Sequence, residues 1–165
     1  MSLPGDEAVP APTIASTHAI TISVATEKVW PWIVQIGQNR GGFYSYTLLE
    51  NLIGCRMENA DRIHSQWQNL NAGDLVQLHP KFPPMLVKEI ETDHHLVLSQ
   101  QTSFVWIWAF VLIRLNRDQC RLLIRTRILS NRWIVTLPLY PVMTLGHYVM
   151  ERKMLTGIKR RSESN

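Results

Sequence analysis

The stretch from residue 75 to 130 has a hydrophobic period of two that is broken only by short turns, and this pattern restricts the possible folds. It predicts five strands, at residues 75–78, 85–90, 96–100, 104–115 and 121–130. The turns at 92–94 and 116–119 are too short to hold the crossover that parallel neighbours need. We therefore predict that this part of the chain forms an antiparallel meander.

The first third of the chain predicts a tail, one further strand and two short helices. Residues 1–16 are rich in Pro, Ala and Ser and lack periodicity, which is typical of a mobile tail. Residues 18–24 alternate in the manner of a half-buried strand. Thr26 can cap a first helix that ends near Gly37, and a second helix is expected at 43–53.

The C-terminal region predicts one long amphipathic helix, at about residues 142–161. Its apolar stripe includes Met143, Met150 and Met154. The run 133–150 carries no charged residue and is almost long enough to cross a membrane. Its two prolines and its polar residues favour a buried linker that leads into the helix, and a transmembrane helix is the alternative.

Residues 17–165 are predicted to fold as a single domain of the α+β class. Its curved antiparallel sheet of about seven strands has one apolar face, which a second layer has to cover. The long C-terminal helix is the only large partner that the sequence offers. A sheet that curves around a helix encloses space, so this architecture predicts an internal apolar cavity.

Composition and charge narrow the class of protein. The 165 residues are 45% hydrophobic and 18% charged, which supports a sizeable core and excludes a disordered chain. The formal net charge is +4, and the basic residues that close the chain are expected to form either a solvated helix end or a contact with an anionic membrane. The N-terminus does not resemble a secretory signal and the two cysteines are far apart, so a cytoplasmic location is predicted.

An aromatic strand at residues 104–110 is the candidate wall of the cavity. Phe104, Trp106, Trp108 and Phe110 share one face, because successive side chains of a strand alternate. Turned inward, this face would suit a flat or acyl ligand, and the alternative is that the rings only fill the core. The opposite face is also apolar, so the sequence leaves open which of the two lines the cavity.

Six other side chains are candidates for contact with a ligand: Tyr44, Tyr46, Arg125, His147, Met150 and Met154. The tyrosine hydroxyls either hydrogen-bond a ligand at the cavity mouth or lie in water. An inward Arg125 would need an anionic partner, whereas an outward one belongs to a solvated face. His147 either contacts a ligand, with which it could exchange a proton, or is a structural histidine.

The motifs of several catalytic and metal-binding classes are absent from the sequence. It contains no GxSxG, GxGxxG or Walker motif, and no HExxH or clustered Cys/His spacing. His94 and His95 are adjacent, and adjacent residues of a strand point to opposite faces. We therefore expect no metal site, no cofactor and no nucleophile. The basic residues are not interleaved with aromatic residues along a groove, so no nucleic-acid partner is expected.

Four blocks of sequence carry a family resemblance: VWPWIVQIGQ at 29–38, GFYSY with LEN at 42–51, ADRI at 60–63 and VMERKMLTGIKRR at 149–161. They resemble a bacterial subgroup of the START-like superfamily, also called SRPBCC or polyketide cyclase/dehydrase-like. The resemblance covers about residues 17–161 and implies the helix-grip fold. It implies little about activity, because the superfamily includes lipid carriers, hormone receptors and cyclases, and the subgroup is largely of unknown function.

The function expected from these observations is non-catalytic binding or transport of a small hydrophobic molecule in the cavity. The alternative is a polyketide cyclase/dehydrase-like enzyme that uses the same cavity. A second alternative is a membrane-associated or partner-binding module that uses the basic C-terminal end together with the apolar segment at 133–150.

Overall fold

The computed structural model describes residues 2–52, 54, 55, 57–130 and 140–164. Two short 3-10 turns lie at Asp6–Ala8 and Ser65–Trp67. The strands are β1 (Ile14–Ile22), β2 (Leu75–Val76), β3 (Met85–Glu91), β4 (His95–Gln101), β5 (Phe104–Asn116) and β6 (Gln119–Ser130). The helices are α1 (Thr26–Val34), α2 (Thr47–Leu52) and α3 (Tyr140–Glu163).

All six strands belong to one antiparallel sheet with the order β1-β6-β5-β4-β3-β2. The predicted meander from β2 to β6 is confirmed, and β1 closes the sheet by pairing with the last strand. The α+β class and the long C-terminal helix are confirmed as well. The prediction of about seven strands is corrected to six within the described residues.

The region between β1 and β2 is less helical than predicted. Only α1 is longer than two turns, and it tolerates Pro31 near its middle. Residues 43–46, predicted as the start of a second helix, form a loop instead, because Tyr44 has a left-handed backbone with φ 56°. The six residues of α2 follow this loop.

The N-terminal segment covers the outer face of the sheet and is not the mobile tail predicted for residues 1–16. β1 already begins at Ile14, and Val9 is fully buried against Val97, Ile107 and Ala109 of β4 and β5. The chain turns sharply before it, at Gly5 with φ 86°, where a Cβ atom would stand 2.8 Å from Val97 Cγ1. The apolar outer face of β5 therefore has a partner within the same chain.

Ion pairs on the outer face hold this segment in place. The Asp6 carboxylate accepts a hydrogen bond of 2.6 Å from Arg125 Nε and lies 3.5 Å from Arg127 Nη1. Arg127 Nε also donates to the carbonyl oxygen of Val9 at 2.8 Å. Arg125 and Arg127 thus face outward on β6, and each is largely covered by the segment that it binds.

The inner face of the sheet packs against α3. Met154, Leu155 and Ile158 of this helix are buried in one apolar cluster with Phe110 of β5 and Ile124 of β6. This cluster forms one end of the space between helix and sheet, and the cavity occupies the other.

None of the helices in the described parts of the chain is both long and apolar enough to cross a membrane. Residues 140–150 of the predicted apolar run belong to the first half of α3. Residues 133–139, for which we predicted a buried linker, lie outside the described residues, as does the side chain of Met143.

Candidate functional site

A cavity of about 670 Å³ lies between the first half of β5, the middle of α3 and the loops at 43–45 and 79–83. Its walls are mostly apolar, and the aromatic rings of Phe43, Trp106 and Trp108 form a large part of them. The volume falls within the range of about 300–1,000 Å³ that is typical of small-molecule sites.

The aromatic face of β5 is the one that points inward. The rings of Trp106 and Trp108 are 6.0 Å apart, and that of Trp108 is 4.7 Å from Phe110. Phe43 meets Trp108 edge to face at 6.0 Å. These contacts are in the range at which aromatic pairs attract, so they hold a continuous wall of rings.

The structure brings six of the predicted ligand-binding residues together at this cavity: Phe104, Trp106, Trp108, His147, Met150 and Met154. Phe110 shares their side of the sheet, but it is fully buried in the core behind Trp108 and does not line the cavity.

The two tyrosines predicted at the cavity mouth do not line it. The Tyr44 hydroxyl is buried and donates to the backbone oxygen of Trp32 at 2.9 Å. The Arg161 guanidinium lies over the Tyr44 ring, 4.9 Å from its centre. Burial raises the pKa of Tyr44 above its usual value. Tyr46 is exposed, with the Lys153 ammonium 5.2 Å above its ring. Both tyrosines therefore have partners within the chain, and neither side chain lines the cavity.

Arg125 is also separated from the cavity. It lies on the outer face of the sheet, because the inward positions of β6 are taken by the alternating buried residues Leu122, Ile124 and Thr126. Its guanidinium binds Asp6 and Thr17, so the structure places Arg125 in the outward orientation and not in the cavity wall.

The polar centre of the cavity is Glu151, which was not among the predicted site residues. In the sequence Glu151 begins a charged run, which is typical of a solvated surface. The helical spacing of Glu151 from His147, Met154 and Ile158 was the available signal, since it places the carboxylate on the buried stripe of α3. Its side chain is only 3% exposed.

Four side chains surround the Glu151 carboxyl group. Trp108 Nε1 and Thr126 Oγ1 donate to its Oε1 atom at 3.2 and 3.1 Å. His147 Nε2 lies 3.4 Å from the same oxygen, and His18 Nε2 lies 3.3 Å from Oε2. Strand β1, strands β5 and β6, and α3 each contribute one or more of these contacts, so the carboxyl joins the sheet to the helix.

Burial sets the proton affinities of this group. It raises the pKa of Glu151 to about 7, even though the hydrogen bonds from Thr126 and Trp108 favour the charged form. Burial lowers the pKa of His147 and of His18, and the charge of His18 lowers the pKa of His147 further. At neutral pH the carboxyl can therefore both release and accept a proton, next to imidazoles that are mainly neutral.

The carboxyl stands between the cavity and a second, smaller depression. His147 and Glu151 line the cavity, whereas His18 lines a groove of about 280 Å³ between β1 and α3, beside Tyr148 and Arg152. The ring of His18 meets Tyr148 edge to face at 5.2 Å. The row His18, Glu151, His147 thus extends from the groove to the cavity.

A second polar atom of the wall is the indole N–H of Trp106. It is buried, and among the described residues it has no hydrogen-bond partner. A buried donor without an acceptor is costly, and Trp106 lines the cavity, so this N–H is a candidate to pair with an acceptor atom of a ligand.

His94 and His95, which were predicted to point apart, have their Nδ1 atoms 2.9 Å from each other. The alternation rule fails because only His95 belongs to β4, while His94 belongs to the preceding turn, where Asp93 has φ 60°. This cluster lies apart from the cavity.

The basic C-terminal end is partly used within the chain. Arg161 donates to the backbone oxygens of Ala60 and Gly157, and Lys159 donates to that of Thr21. Arg160 stays exposed, so contact of this end with an anionic membrane remains a prediction.

Solved structures with the same architecture are found at low sequence identity. A hypothetical protein from Helicobacter pylori is 14% identical over 98% of this chain and 95% of its own, with a TM-score of 0.58. A norcoclaurine synthase from Thalictrum flavum is 13% identical over 90% and 93%, with a TM-score of 0.53. A conserved protein from Geobacillus kaustophilus is 11% identical over 92% and 96%, with a TM-score of 0.52. No family model and no curated protein matches the sequence.

Proposed function

We propose, from the START-like helix-grip fold of this chain, that it binds a small hydrophobic molecule in the cavity between the sheet and α3. The observation that carries this proposal is the cavity of about 670 Å³ with its wall of aromatic rings and methionines. Each 200 Å² of apolar ligand surface that leaves water there contributes about 5 kcal/mol, at about 25 cal/mol per Å².

Two polar groups would orient the ligand. Glu151 offers a carboxyl that can accept or donate a hydrogen bond near neutral pH, because burial raises its pKa to about 7. The N–H of Trp106, which has no partner among the described residues, would pair with an acceptor. The ligand class is therefore a mainly apolar, ring-bearing or acyl molecule with one or two oxygen or nitrogen atoms.

A titration with the neutral apolar dye 1-N-phenylnaphthylamine tests this proposal. Met150→Trp puts a larger side chain into the cavity, and the neighbouring Val149→Trp puts the same side chain on the half-exposed side of α3. We expect saturable dye binding by the wild type and by Val149→Trp, and binding at least about tenfold weaker, or about 1.4 kcal/mol, for Met150→Trp. Equal binding by all three proteins would count against the cavity as the site.

The row of His18, Glu151 and His147 favours a second candidate function, acid–base catalysis on the bound molecule. A mainly apolar cavity with a carboxyl group whose pKa is raised to about 7 is suited to moving a proton to or from a ligand near neutral pH. One of the structures with the same fold is an enzyme, the norcoclaurine synthase. In this reading Glu151 is the group that exchanges the proton, and His147 shares it.

The two candidate functions differ in what Glu151→Gln does to the bound molecule. The small molecules that co-purify with the wild type and with Glu151→Gln are extracted and identified by mass spectrometry. An enzyme retains unconverted substrate in the variant and product in the wild type, so the two extracts differ. A binding or transport protein yields the same molecule from both.

A further inference from the structure

We propose that the hairpin of β3 and β4 binds one divalent transition-metal ion, such as Zn²⁺, through Glu91, His94 and His95. The ligand atoms are Glu91 Oε2 and the two histidine Nδ1 atoms, which lie close together in the structure. Imidazole nitrogen and carboxylate oxygen are ligands that zinc commonly takes in proteins. The site lies on the hairpin and is independent of the function proposed for the cavity.

The backbone of the hairpin brings these three side chains together. Glu91 and His95 are direct cross-strand partners, so their side chains share one face of the sheet. His94 enters from the turn, whose backbone closes with a hydrogen bond of 3.1 Å from His94 N to Glu91 O. The carbonyl oxygen of His94 is held by the N–H of Leu112 at 2.7 Å, which ties the turn to β5.

The spacing of the ligand atoms fits a tetrahedral ion. His94 Nδ1 lies 2.9 Å from His95 Nδ1 and 3.2 Å from Glu91 Oε2, and the third side of the triangle is 3.6 Å. An ion about 0.8 Å above the plane of these atoms would be about 2.05 Å from each, close to the usual bond lengths from zinc to nitrogen and oxygen. Three protein ligands leave the fourth position to water.

The carboxylate of Glu89, which would not contact the ion, orients the ligand His95. His95 is 5% exposed, and its Nε2 atom lies 2.9 Å from Glu89 Oε1. A proton on Nε2 that is donated to Glu89 leaves the Nδ1 lone pair of His95 free to bind the ion, which is the arrangement that zinc-binding histidines usually have. Glu89 and Glu91 thus place two acidic side chains beside the two histidines, and carboxylate oxygen is a ligand type that suits a dication.

Zinc titration by calorimetry tests the proposal on the full-length protein. The wild type is expected to bind one ion per chain at this site. The double variant Glu91→Gln/His94→Ala removes two ligands on exposed side chains, and its matched control is Glu58→Gln/His64→Ala. We expect affinity to fall at least about a hundredfold in the double variant and to be unchanged in the control, since loss of even an outer partner costs about 10- to 100-fold.

Glu89→Gln gives an independent readout, because this residue touches His95 and not the ion. Zinc affinity is expected to fall about 10- to 100-fold with the stoichiometry kept at one. Bound Co²⁺ should show the visible absorption of a tetrahedral ion in the wild type and lose it in the double variant. The absence of zinc binding by the wild type would overturn the proposal. So would equal binding by the double variant, or binding that is lost in Glu151→Gln instead.

Discussion

Glu151→Gln removes a titratable group from the interior while it keeps the size and shape of the side chain. Burial raises the pKa of the Glu151 carboxyl from a usual value of about 4.5 to about 7. The amide oxygen of the glutamine can still accept from Trp108 and Thr126. The substitution therefore isolates the cost of holding a carboxylate charge between the sheet and α3.

The sign of the effect follows from proton linkage. A carboxyl whose folded-state pKa lies above its unfolded-state value contributes fully below about pH 4.5, and that contribution is lost as the pH rises through about 7. The difference between the two pKa values corresponds to about 3 kcal/mol when the group is ionised in both states. The wild type should therefore lose about 2 to 3 kcal/mol relative to Glu151→Gln between pH 5 and pH 8.

Urea unfolding at pH 5, 6, 7 and 8 measures this difference directly. His18 and His147 titrate in both proteins, so the comparison of the two removes most of their contribution. Glu58→Gln, at an exposed position, is the control, and its free energy of unfolding should change with pH in the same way as that of the wild type. If the wild type and Glu151→Gln also ran parallel over this range, the raised pKa and the acid–base role built on it would be refuted.

Two further predictions concern the parts that hold the site together. Asp6→Asn should lower the free energy of unfolding by about 1 to 3 kcal/mol at pH 7, because a charged hydrogen-bond partner of Arg125 is lost. Burial opposes the charge of Asp6, but its hydrogen bonds outweigh this effect and lower its pKa. The difference in unfolding free energy between the wild type and Asp6→Asn should therefore shrink below about pH 4. An unchanged melting temperature at pH 7 would argue against the role of this contact. Gly157→Ala should cost about 1 to 3 kcal/mol, because the new Cβ would stand 2.3 Å from the backbone oxygen of Tyr44. Gly146→Ala in the same helix meets nothing within 4 Å and should stabilise the protein by up to about 1 kcal/mol, and thermal unfolding of the two variants tests the contrast.

The cavity wall could be predicted because its residues follow local periodicity. Trp106 and Trp108 alternate along β5, and Met150 and Met154 repeat at helical spacing along α3. A period of two or of 3.6 places side chains on one face whatever the rest of the chain does. Only the choice of face needed the structure, since both faces of β5 are apolar.

That choice depended on contacts between residues that are distant in sequence. Val9 covers the outer face of β5, and Asp6 pairs with Arg125 across 119 positions of the chain. The composition of the first 16 residues is typical of a mobile tail. Composition does not indicate which distant surface a segment can cover, so the position of this segment could not be predicted. The surroundings of Tyr44 also depend on a residue that is distant in sequence, since Arg161 of α3 lies over its ring.

The polar groups were missed where a local rule did not apply. Charged residues are usually exposed, so Glu151 could be recognised as buried only by its spacing from His147 on the same helix stripe. Strand alternation does not extend into a turn, so it gave the wrong relation between His94 and His95. Both errors concern the chemistry of the molecule and leave its architecture intact.

Native mass spectrometry of the freshly purified protein is the most direct test of the cavity as a ligand site. We expect a population whose mass exceeds that of the chain by the mass of one small organic molecule, which denaturation releases. Met150→Trp should deplete this population, whereas Val149→Trp should retain it. A protein that shows only the mass of the chain, and that binds no phenylnaphthylamine, would contradict the proposed function.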